Sequence, residues 1–254
     1  MRPSIAAALI SVSATLAASA QHAGDVLLTL DGAGRISTNA FISAAATPNR
    51  VFISRLGVDF PDFTADPGFD CFPGTFPAPS RNGFRVLKAL RAWDGSSFAT
   101  IPAERLEIAF GTFTPILTPL TDTVVDGFTL TVASNGQWHR HLEYTLLAPA
   151  SDGIYLLELS LFSNHPEVRE SDPFWILFDQ NADGEALSAA AAWVLNQANP
   201  CSADFNSDGF VDFFDFDDFV AVFETGDPSS DFNRDGFTDF FDFDDFVAAF
   251  ETGC

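Results

Sequence analysis

Basic residues are scarce in this chain. Its 254 residues include 12 Lys and Arg against 35 Asp and Glu, a formal net charge of −23. A field of that sign repels phosphate backbones and anionic headgroups, so neither nucleic acid nor membrane surface is an expected partner. Beyond the N-terminal stretch there is no apolar run long enough to cross a bilayer. Cysteine is rare, with only Cys71, Cys201 and Cys254. Common catalytic spacings are missing as well. No nucleophile elbow, phosphate-binding loop or HExxH can be found, and an enzymatic role is not expected from motifs.

What is present begins with a positively charged start at Met1-Arg2 and an apolar run from Ile5 to Ala17. Ala18-Ser19-Ala20 then supplies small residues of the cleavage type. This predicts a secretory signal over residues 1–20 and an exported protein, extracellular, on the cell surface or periplasmic.

Residues 21–198 read as a mainly β domain. VLLTL, RVFIS (50–54), RLEIAF (105–110), FTLTV (128–132) and IYLLELSLF (154–162) are short apolar or alternating runs separated by Gly, Asn, Asp and Pro. Asn135-Gly136 predicts a hairpin between FTLTV and WHRHLEYTLL. Several short strands in one unit predict an antiparallel β-sandwich. Phe60 to Pro79 reads as a long loop packed by its own aromatics. Glu185 to Gln197 is Ala-rich and predicts a helix, stopped by Asn199-Pro200.

The remaining segment, 201–254, holds 13 Asp, two Glu and one Arg, and it contains a duplication. DFNSDGFVDFFDFDDFVAVFETG (204–226) returns as DFNRDGFTDFFDFDDFVAAFETG (231–253), with three of 23 positions changed. Taken as a twelve-position loop, the first copy places oxygen side chains at positions 1, 3, 5, 9 and 12: Asp204, Asn206, Asp208, Asp212 and Asp215. Gly209 at position 6 permits a sharp turn, and Phe210 at position 7 can offer its carbonyl. The second copy places Asp231, Asn233, Asp235, Phe237, Asp239 and Asp242 likewise. Calcium takes six to eight oxygen ligands, and this spacing wraps them around one ion. Four carboxylates in so short a loop repel one another without a cation. Two Ca²⁺ ions are therefore expected.

Position 12 is Asp instead of the longer Glu of calmodulin-type loops, and Pro-containing segments precede both loops where an entering helix would lie. Loop plus exiting helix, duplicated, resembles the dockerin family, as in the dockerin-like tails of exported planctomycete proteins. The resemblance covers residues 204–253. It implies a small all-α module of EF-hand type that binds calcium and docks to a cohesin-type or other cell-surface protein; where such a tail is carried by an enzyme, polysaccharide breakdown is the expected setting. Thr238 departs from the aliphatic residue usual at position 8. Positions 10 and 11, where dockerins carry small hydroxyl residues for partner recognition, are phenylalanine in both copies.

Helical spacing places Phe213, Phe216, Phe219, Val220 and Phe223 on one stripe, and Phe240, Phe243, Phe246, Val247 and Phe250 on its counterpart. The two stripes are expected to face each other. Phe214 and Phe241 fall off the stripe and read either as partner anchors or as packing on the neighbouring domain or on loop residues. Cys201 and Cys254 bracket the module and could close a disulfide in an oxidising compartment. The alternative is two thiols. Cys71 reads as a buried apolar residue or a free thiol.

Two weaker constellations complete the reading. Asp179, Asn181, Asp183 and Gly184 mimic half a calcium loop, but Leu187 and Ala190 spoil the rest, which leaves a polar turn before the helix. His139, His141 and Glu143 alternate and could hold zinc, but the polar face of a half-buried strand is the simpler reading. GIYLLELSLFSN and SDPFWILFDQN resemble segments of exported bacterial proteins with no assigned activity. The reading is a secreted calcium-binding attachment protein. Its rival is a dockerin-tagged extracellular enzyme, whose first domain would show carboxylates clustered in a cleft.

Overall fold

The computed structural model describes residues 24–42, 45–198, 203–206, 210–232 and 237–253. The expected signal segment lies outside them. In chain order the strands begin with β1 (Val26–Leu30), β2 (Ile36–Ile42), β3 (Ala45–Pro48), β4 (Val51–Arg55), β5 (Phe63–Thr64), β6 (Phe69–Cys71) and β7 (Arg81–Val86). They continue with β8 (Arg91–Ala92), β9 (Leu106–Ala109), β10 (Ile116–Leu117), β11 (Val125–Thr131), β12 (Glu143–Leu146), β13 (Gly153–Ser163) and β14 (Phe174–Gln180). Helices α1 (Gly184–Ala198), α2 (Phe213–Thr225) and α3 (Phe240–Thr252) follow.

The fold is mainly β. Its strands form three sheets, in the orders β3-β2-β1-β6, β10-β9-β12-β5 and β11-β7-β13-β14-β4, with β8 added beside β13. Most pairs are antiparallel, as expected, but β1 with β6 and β4 with β14 run parallel. These pairs join segments far apart in sequence, and no local turn announces them.

The central strands β13 and β14 explain why their sequences are apolar on nearly every residue. Alternation sends Tyr155, Leu157, Leu159 and Leu161 of β13, with Phe174, Ile176 and Phe178 of β14, into the main core. That core also takes Val26 and Leu28 from the first sheet and Leu106, Ile108 and Tyr144 from the second. Ile154, Leu156 and Leu177 point the other way, into a second cluster with Ala190 and Val194 of α1. A strand covered on both faces loses the polar alternation of a half-exposed one. Trp93, Phe98 and Trp193 meet edge to face or tilted at the border of this cluster. Helix α1 matches its sequence expectation to within one residue at either end.

Two expectations need correction. Asn135-Gly136 does form a tight turn, with Gly136 at φ 80 and its N–H donating to Ala133 O. It is no hairpin, however: β11 before it pairs with β7, whereas β12 after it pairs with β9 and β5. The turn carries the chain from one sheet to another. The segment 60–79, expected as loop throughout, contributes β5 and β6 and buries Phe69 and Phe76 in the core.

In the repeated segment, α2 and α3 begin alike. Asp212 and Asp239 are N-caps, accepting from Phe214 N at 2.8 Å and Phe241 N at 2.9 Å. Asp215 and Asp242, three residues on, reach back to the N-cap N–H groups and complete capping boxes. Helix α2 ends at Gly226, whose left-handed φ of 67 lets the following N–H return to Val222 O.

Behind the loops, Phe219 and Phe246 are fully buried and stacked. Phe205 meets Phe219 at 5.3 Å and Phe232 meets Phe246 at 5.5 Å, both edge to face. Phe216 touches Phe250, and Phe243 touches Phe223, in the same reciprocal manner. The expected facing stripes are thus present but shifted. Phe213 and Phe240, assigned to the stripes by spacing, are each 69% exposed, because the first helical turn projects past the contact. Phe205 and Phe232, in the loops themselves, take their place.

Candidate functional site

The described part of each loop is tied to its last carboxylate. Asp215 has no exposed surface, and Asp204 is 5% exposed. Asp215 Oδ1 accepts from Asn206 N at 3.0 Å, and Oδ2 accepts from Asp212 N at 2.9 Å. One side chain therefore ties loop positions 3, 9 and 12 together. In the second copy Asp242 is equally buried, and its Oδ2 accepts from Asp239 N at 2.8 Å. Asp231 is half-buried. Asp208, Asn233 and Asp235 lie outside the described residues, as do Cys201 and Cys254 with their expected disulfide.

Phe214 and Phe241 are 66% and 69% exposed, so neither ring is buried against a neighbour. They do not stand alone. Phe210 and Phe213 are exposed beside Phe214 in sequence, and Phe237 and Phe240 likewise accompany Phe241. Spacing alone identified only the off-stripe pair.

Asp179, Asn181 and Asp183 form the polar turn that the incomplete loop pattern suggested. Asp179 Oδ1 accepts from Ala182 N, Asn181 donates to Asp152, and Asp183 accepts from Glu185 N at the start of α1.

The alternating histidines are placed differently from expectation. His139 and His141 sit in an extended segment before β12, held by a bridge between Phe69 and Arg140. Trp138, Leu142 and Tyr144 face the core, as alternation requires. The imidazole rings lie 5.2 Å apart. Glu143, however, does not join them. The third group is Asp25, at the start of β1: one ligand atom from each of Asp25, His139 and His141 lies within 4.8 Å of the others. Sequence offered no signal for Asp25, because the parallel pairing of β1 with β6 is what brings it there.

Asp25 also borders a cleft of about 230 Å³, which Asp59, Asp66 and Arg55 line as well. Close by, Cys71 is buried, and Trp138 N donates to its Sγ at 3.1 Å. Burial pushes this thiol up to about 11.

No family model matches the chain, and no curated protein is significantly similar to it. Among the described residues, no helix is long and apolar enough to cross a membrane.

Proposed function

We propose that the chain is a secreted calcium-binding attachment protein. Its repeated tail, residues 201–254, is a dockerin-like module of two loop–helix units, and residues 21–198 form a β-sandwich domain. The observation that carries this reading is the complete burial of Asp215 and Asp242 at equivalent positions of the two copies. Burying an ionised carboxylate costs several kcal/mol unless charge and hydrogen bonds compensate it. Backbone N–H groups supply the hydrogen bonds. Compensating charge from the tail is limited to Arg234, against 15 acidic residues. A divalent cation in each loop would supply the rest. Asp204, Asn206, Asp208, Asp212, Asp215 and the Phe210 carbonyl would hold the first ion. Asp231, Asn233, Asp235, Asp239, Asp242 and the Phe237 carbonyl would hold the second. The ions would fix the loops and hence the two exposed phenylalanine groups, which would meet a cohesin-type or other cell-surface protein.

Calorimetric titration of the mature chain tests the metal claim. Two Ca²⁺ ions should bind, and Asp215→Asn with Asp242→Asn should abolish both while circular dichroism still reports the β-sheets. Absence of calcium binding by the unsubstituted chain would overturn the reading.

The alternative, a docked enzyme, draws support from one observation: Asp25, Asp59 and Asp66 line a single cleft. Hydrolysis of oligosaccharides by the mature chain, lost in Asp59→Asn or Asp66→Asn, would favour it.

A further inference from the structure

We propose that Asp25, His139 and His141 form a binding site for a divalent transition-metal ion of the zinc class, separate from the acidic loops. Two imidazoles and one carboxylate suit zinc and its neighbours, whereas calcium prefers oxygen alone. Asp25 Oδ2 lies 3.6 Å from His141 Nε2. A tetrahedron built on bonds of about 2.1 Å has an edge of roughly 3.4 Å, so this pair needs little movement to share an ion.

The surroundings orient each ligand. His141 Nδ1 is 3.0 Å from the Ala65 carbonyl. A carbonyl only accepts, so Nδ1 is the donor there, the tautomer that leaves Nε2, facing Asp25, as the nitrogen for a metal. His139 Nδ1 is 3.3 Å from Asp70 Oδ1, which favours the same tautomer for that ring. Carbonyl or carboxylate partners on the far nitrogen are the usual support of metal-bound histidine. Asp70 is 2% exposed, and its Oδ2 has no hydrogen-bond partner among the described residues. This buried negative charge strengthens the locus for a cation. Asp66 adds another carboxylate, 3.4 Å from His141 Nδ1. On the third ligand, Asp25 Oδ1 accepts from Gly68 N at 2.9 Å, which turns Oδ2 toward His141. Gly68 itself makes room, because a Cβ there would lie 2.6 Å from the His141 ring.

Three protein ligands leave a coordination position, and the histidine side chains, 37% and 26% exposed, leave it accessible to water or a small ligand. The ion would pin the start of β1 directly to the segment before β12, two stretches that are otherwise joined through Gly68 and Phe69.

The test uses the mature chain, stripped with chelator and then held in excess Ca²⁺ to fill the acidic loops. Titration with Co²⁺ should give the intense visible bands of a four-coordinate site at one ion per chain, and Zn²⁺ should displace them. His139→Ala and Asp25→Asn, the latter keeping an acceptor for Gly68 N, should each weaken Co²⁺ binding at least about tenfold. Asp70→Asn should weaken it by about 10–100-fold, acting through His139. Glu143→Gln should change nothing. If Asp25→Asn fails to fold, His139→Gln at the more exposed ring serves instead. Absence of visible bands, or bands that survive the His139 substitution, would overturn the proposal.

Discussion

Phe219 and Phe246 stack at 4.0 Å with their planes 9° apart, one from each copy of the repeat. Their exchange symmetry extends to the neighbouring rings, so each copy supplies half of one small core. Phe219→Ala and Phe246→Ala are therefore expected to have equal effects, each costing about 3–5 kcal/mol of tail stability. Urea denaturation followed by circular dichroism reads this. A cost below that of an ordinary surface change, about 0.5 kcal/mol, would show that the stack is not the core.

The exposed rings should behave oppositely. Phe214→Ser together with Phe241→Ser is expected to leave folding and calcium affinity intact, since both rings are about two-thirds exposed. If the tail docks as proposed, capture of a surface protein in a calcium-dependent pull-down should disappear. Persistence of capture would remove these two residues as anchors and direct attention to Phe210, Phe213, Phe237 and Phe240.

Asp94 sets an acid-side signature. Its carboxylate accepts from the N–H and hydroxyl groups of Ser96 and Ser97, which hold it at about 2 against an ordinary 3.8. Between those values the unfolded chain binds more protons, so stability rises with pH there. The contribution is complete above pH ~5 and is lost as pH falls through 3.8 toward 2. An NMR titration of the folded chain should place the Asp94 midpoint near 2, and Asp94→Asn should flatten the acid limb of the stability curve. A midpoint at the ordinary value would refute the turn geometry.

Cys71 is expected to resist alkylation. With the thiol pushed up to about 11, roughly a thousandth is thiolate at pH 8, and burial blocks even that fraction. Mass spectrometry should find Cys71 unlabelled in the native chain and labelled in denaturant. The same measurement counts thiols: a Cys201–Cys254 bridge leaves one in unreduced, denatured protein and three after reduction. Rapid native labelling of Cys71 would contradict its placement.

The β character, α1 and the two tail helices were legible because each rests on local pattern: alternation, an Ala-rich run, a phenylalanine stripe at helical spacing. The parallel pairs were not, since nothing near Val26 points to Phe69. The histidine pair shows the same division. Period two correctly put His139 and His141 on one side and Trp138 on the other, yet the third group came from Asp25, which only the sheet topology could supply. Phe205 and Phe232 were missed for another reason. A helical stripe can only enlist residues on the helix, and these rings enter the core from the loop in front of it.

That the only aromatic residues of the tail are phenylalanines has a practical consequence. Every tryptophan and tyrosine of the chain lies between Trp93 and Trp193, with Trp138 and Tyr144 deep in the main core of the β domain. Intrinsic fluorescence thus watches the sheets and is nearly blind to the repeats. A melting curve recorded by that signal alone could look cooperative and unchanged while the tail unfolded, so a second spectroscopic channel is needed to see both parts of the molecule.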